Sequence, residues 1–149
     1  MRIIALVLTL SLATAISCAK AQVSPNELVG EWLARRVIFK RDGQPYMDKS
    51  MRDRECVLRF SADGRFAMDD RSGTPSIATS GSYEITHDHR LKWTYLDVQD
   101  PTGFTEGLRG RTLNLDFNVS GDQLSLARHY VSEDGKRIDE ETSYVKAPK

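Results

Sequence analysis

Thr112-Leu113-Asn114-Leu115-Asp116-Phe117-Asn118-Val119 alternates without a break. Leu113, Leu115, Phe117 and Val119 fall on one side, and Thr112, Asn114, Asp116 and Asn118 on the other. That period of two is the mark of a half-buried β-strand. Ser120-Gly121-Asp122-Gln123 turns the chain, and Leu124-Ser125-Leu126-Ala127-Arg128-His129-Tyr130 returns with the same period. Glu133-Asp134-Gly135-Lys136 turns it again, and Ile138 to Val145 reads as the last strand.

The same pattern runs back toward the N-terminus. Gly81 to Thr86 and Leu91 to Leu96 form a hairpin that turns at His87-Asp88-His89-Arg90. Val57 to Phe60 and Arg65 to Met68 form another around Asp63-Gly64, since Asp-Gly between two alternating runs is a strong hairpin signal. Glu31 to Phe39 is the first strand. Ser24 before Pro25, with Glu27 three residues on, has the spacing of a capping box and predicts one helical turn. Three segments read as loops. Residues 40–55 are rich in charges of both signs, 69–76 carry Gly73 and Pro75, and 97–110 hold Pro101, Gly103, Gly107 and Gly110. Long loops in compact domains are often functional, so 40–55 is a candidate flap over a cavity mouth.

These runs give seven or eight strands joined by tight antiparallel turns, with no amphipathic helix after Ala21 to cover a sheet. The sheet's two faces must then bury against each other, and closure also removes exposed edges. The expectation is an all-β fold, an antiparallel up-and-down β-barrel of about eight strands over residues 22–149.

Composition narrows the function. The 149 residues suit one domain. Lys+Arg and Asp+Glu both number 21, which argues against a nucleic-acid binder. With 28% charged residues, a polytopic membrane protein is excluded. Met1 to Ala21 carries Arg2 and Lys20, no acid, and an apolar run from Ile3 to Ile16. Those are the parts of a secretory signal, and the run is short for a span of about 20 residues. Two cleavage readings stay open. Ala19-Lys20-Ala21 is an A-x-A site, whereas Ala15-Ile16-Ser17-Cys18 has the form of a bacterial lipobox with Cys18 as the acylated residue. Either one predicts an exported protein, periplasmic or secreted, with an outer-membrane lipoprotein as the second form. A membrane then enters only through a lipid on Cys18. Cys56, spaced by two from Leu58 and Phe60, is left as the only thiol of the folded domain and reads as buried and inert.

Leu28-Val29-Gly30-Glu31-Trp32 at the head of the first strand resembles the opening of the bacterial lipocalin-like families, which begin on Gly-x-Trp. Those families close on a strand with an aromatic residue and, two positions on, a basic one; Tyr144-x-Lys146 matches. Val119-Ser120-Gly121-Asp122-Gln123-Leu124-Ser125-Leu126 matches their penultimate hairpin, so the resemblance covers roughly Leu28 to Ala147. It implies that Gly30, Trp32, Tyr144 and Lys146 close the barrel, with Trp32 plugging one end under a basic side chain. Such a cation–π contact is worth roughly 0.5–2 kcal/mol. The families' usual base is Arg; Lys146 lacks the flat guanidinium, which weakens the stack and makes Arg128 a rival for the role.

Chemistry is sparse. His87-x-His89 offers two imidazoles where a metal needs three or four ligands, so no metal is expected. Gly-x-Ser-x-Gly, phosphate-loop and dinucleotide patterns are all missing, and no catalytic residue or cofactor is expected. One feature breaks the pattern. Arg128 shares a side with Leu124 and Leu126, and Glu140 shares one with Ile138 and Tyr144. Two such inward charges pair, anchor a ligand's head group, or reach water at the rim by snorkelling, because burying them alone costs several kcal/mol. The leading expectation is a small hydrophobic or amphipathic ligand held inside the barrel by Trp32, Phe60, Phe66, Trp93, Tyr95 and Arg128. The alternative is an envelope protein-interaction module working through 40–55 and 97–110, an inhibitor or assembly accessory. Neither is an enzyme.

Overall fold

A computed structural model describes residues 24–86, 88, 90–103 and 105–148. The signal segment, Cys18, His87 and His89 lie outside the described residues. Ser24 caps the short helix α1 (Pro25–Leu28): its hydroxyl accepts from the Asn26 N–H at 3.4 Å, while Glu27 accepts from the Ser24 N–H at 2.7 Å.

Nine strands follow among the described residues: β1 (Gly30–Arg41), β2 (Gln44–Ser50), β3 (Cys56–Phe60), β4 (Arg65–Asp70), β5 (Ile77–Ile85), β6 (Arg90–Gln99), β7 (Thr112–Ser120), β8 (Gln123–Val131) and β9 (Arg137–Lys146). All pair antiparallel with their neighbours, and β9 returns to β1 from Trp32↔Lys146 to Arg41↔Ile138. Eight strands thereby close a barrel, and β2 is an extra one. Strand β1 is shared along its length. Gly30 to Leu33 pair with β3, and Arg36 to Arg41 pair with β2.

The strand β2 corrects the reading of 40–55 as a loop. Asp42 and Gly43 both take positive φ, 48° and 80°, as a tight hairpin turn requires. Every residue of β2 is exposed, so it buries no apolar face and leaves no period of two in the sequence. The other two loops also shrink. β4 runs on to Asp70, β5 starts at Ile77, and β6 runs on to Gln99. Among its described residues, the rest of 97–110 holds one 3₁₀ turn, Glu106–Leu108.

One end of the barrel is stoppered. Trp32 and Leu28 are fully buried there, and the indole N–H donates to the Leu28 carbonyl at 2.7 Å. Lys146 Nζ lies 5.1 Å from the ring centroid of Trp32. Gly30 lets this happen, since a Cβ there would meet Lys146 Cε at 3.2 Å. Above the plug the interior is packed with rings. Phe60 meets Tyr83 edge-on at 4.8 Å, and Phe66 lies 3.9 Å from Trp93 and 5.7 Å from Tyr95. Edge-on and tilted pairs of this kind add to the burial of the rings themselves. Cys56 is free and buried on β3, and burial pushes its thiol up to about 12.

Candidate functional site

The packing gives out above the aromatic cluster. A cavity of about 200 Å³ opens there among Met68, Leu113, Leu115 and Leu126. Trp93, Tyr95 and Tyr144 form its aromatic wall, and Leu108 of the 3₁₀ turn reaches it from the loop. Its polar groups are Thr142, Arg128 and Glu140. The position of each follows from strand parity: Leu113 and Leu115 on β7, Leu126 and Arg128 on β8, and Glu140, Thr142 and Tyr144 on β9 all point inward.

Arg128 and Glu140 are opposite each other across β8 and β9, and the guanidinium Nε–H donates to Glu140 Oε2. Both are half-buried, at 32% and 21% side-chain exposure, so the pair keeps contact with water. Arg128 also lies 4.8 Å over the Tyr130 ring. Burial raises the Tyr95 and Tyr144 hydroxyls above the ordinary tyrosine value, which keeps both protonated and able to donate. The Trp93 indole N–H is buried without an acceptor.

The six residues expected to bind ligand thus divide. Trp93, Tyr95 and Arg128 line the cavity. Trp32 is sealed in the plug, and Phe60 and Phe66 are buried in the layer beneath, outside the cavity lining. Tyr144, expected only as a closing residue, is part of the cavity wall. Leu108 and Glu140 also line it. Glu140 was legible by parity, whereas Leu108 sits in a loop whose course no periodicity reports.

A carboxylate at the start of that loop gathers several of its hydrogen bonds. Asp100 is buried and accepts from the Thr102 N–H at 2.8 Å and from the Thr105 N–H and hydroxyl at 2.6 and 2.8 Å. The hydrogen bonds from Thr102 and then those from Thr105 hold its carboxyl well below the ordinary value of 3.8. A carboxyl depressed in the folded state stabilises the fold above its unfolded pKa and loses that contribution as pH falls through the folded one. Replacing Asp100 by Asn should therefore lower the urea midpoint at pH 7. The gap from wild type should narrow as pH drops below about 4. Equal gaps at pH 7 and pH 2.5 would refute this account of the loop.

Among the described residues, no group of three or more His, Cys, Asp or Glu could hold a metal. On the outer face His129 stands between Asp139, at 2.7 Å, and Asp116, at 3.5 Å. Neither a family model nor a curated protein matches the chain.

Proposed function

We propose that this is an exported, lipocalin-like carrier whose barrel takes up one small, neutral, partly apolar molecule. The observation that carries the proposal is the cavity, an apolar pocket with a single ion pair at its edge. At about 200 Å³ it falls below the roughly 300–1,000 Å³ of ordinary ligand pockets. An apolar cavity of roughly 150 Å³ takes up benzene, which sets the scale of the guest. Glu140 already neutralises Arg128, so a carboxylate brought beside the pair would meet a repelling charge. A hydroxyl or carbonyl can still accept from the remaining guanidinium N–H groups. Secretion follows from the reading of residues 1–21 as a signal.

Benzyl alcohol and benzoate differ mainly in charge and make a suitable probe pair. Chemical-shift titration should show saturable binding of benzyl alcohol, with benzoate weaker by on the order of a hundredfold, the cost of desolvating an unpaired carboxylate. Leu115→Trp, which puts an indole into the cavity, should abolish binding while leaving the far-ultraviolet circular dichroism unchanged. An absence of saturable binding, together with no co-purifying molecule in native mass spectrometry, would defeat the proposal.

A second reading, an envelope protein-interaction module, is favoured by one feature. Tyr46 and Met47 on β2 are nearly half exposed on a strand that buries nothing else. Capture of an envelope protein that is lost when β2 is deleted, with ligand uptake intact, would favour it.

A further inference from the structure

The barrel wall is not closed along its whole height. Strand β7 pairs with β8 only from Asp116↔Ala127 to Ser120↔Gln123. Beyond Asp116, β7 stays with β6 as far as Thr94↔Thr112, and β8 stays with β9 as far as Val131↔Arg137. Residues 112–115 and 128–131 therefore form two facing lips with no strand between them among the described residues. The ladder shows which backbone groups meet the gap. The Tyr95 N–H donates to the Arg111 carbonyl at 3.0 Å, so residues 111, 113 and 115 turn their backbone toward β6. Thr112 and Asn114 then face the gap from one lip, and His129 and Val131 from the other.

This seam leads to the cavity. A groove of about 620 Å³ lies along it, lined by both lips and by Arg90 and Arg111. Groove and cavity share Leu108, Leu113 and Arg128. The path thus runs from a polar outer groove to an apolar interior past three side chains. The open end of the barrel is different. Thr79, Val98 and Ile138 lie at that end, and they are only 5%, 2% and 2% exposed. In the loop beside them, Arg109 donates to the Val98 carbonyl at 2.9 Å.

We propose that the seam between β7 and β8 is the doorway of the cavity, a lateral passage between Leu113 and Arg128 for small neutral molecules. What passes through it rests on the carrier reading; the passage itself does not. Among the described residues no strand fills the seam, and Leu108 borders both the groove and the cavity.

The test uses acrylamide, a neutral quencher. The chain has two tryptophans; Trp93 lines the cavity and Trp32 is sealed in the plug. In Asn114→Cys/His129→Cys, both exposed positions, a short bis-maleimide bridges the lips; Cys56 is buried with its thiol pushed up to about 12 and stays unmodified at neutral pH. Bridging should lower the acrylamide quenching of Trp93 severalfold, and the reagent on Asn114→Cys alone should not. Thr112→Cys/Val131→Cys gives a second bridge across the same lips. If quenching is unchanged in a folded, bridged protein, the seam is not the doorway. If quenching is gated but benzyl alcohol does not bind, the doorway stands and the carrier reading falls.

Discussion

Replacing Trp32 by alanine should cost the protein about 3–5 kcal/mol, the range for deleting a fully buried large aromatic side chain. Trp32 has no exposed surface, and three separate interactions depend on it. It fills the end of the barrel against Leu28, satisfies the Leu28 carbonyl with its N–H, and carries Lys146 on its face. Alanine leaves a cavity, an unpaired carbonyl and a cation without its ring. Small domains are stable by only about 5–15 kcal/mol, so the variant should be largely unfolded at modest urea concentrations. Urea unfolding followed by circular dichroism reads the loss directly, and a loss below about 1 kcal/mol would mean that the plug is not structural.

The second large effect is expected at Gly81. It sits at a bulge, where β5 shifts register against β6 between Ser80 and Gly81. A Cβ built there would lie 1.9 Å from the Thr94 carbonyl oxygen and 2.8 Å from Phe66 Cε1. The first neighbour is backbone in the middle of the wall and cannot swing aside. Relief requires parting β5 from β6 or moving Phe66 off Trp93, and either disturbs the floor of the cavity. Forced overpacking costs typically 1–3 kcal/mol and more where backbone must shift, so Gly81→Ala should lie at or above the top of that range. Trp93 reports the cause: its emission should shift in the folded variant as the ring beside it moves. A neutral Gly81→Ala with unchanged emission would contradict the geometry at this bulge.

Much of this architecture was legible in the sequence because a barrel strand writes its two faces in alternate residues. Leu113, Leu115, Phe117 and Val119 were readable as one inner face, and Arg128 and Glu140 as two charges pointing the wrong way. Parity gives direction but not depth. It placed Phe60, Phe66, Trp93 and Tyr95 inside alike, yet only the last two border the cavity, since depth depends on how the strands are staggered. β2 was missed for the opposite reason: exposed on all sides, it has no pattern to read, although Asp42-Gly43 was a hairpin signal in plain view. The gap between β7 and β8 is written in neither strand. It arises because each strand stays with its outer neighbour, a property of register between pairs that no single run of residues encodes.

β2 has one further consequence. Its far margin meets no other strand among the described residues, and a bare ribbon edge of this kind invites neighbouring molecules to stitch on and grow into fibres. Here Pro45 contributes no N–H to such stitching, and Asp48 and Lys49 keep the border wet. Any molecule that settles on this ribbon must grip Tyr46 and Met47 by their side chains, so crowded copies of the protein remain poor company for one another.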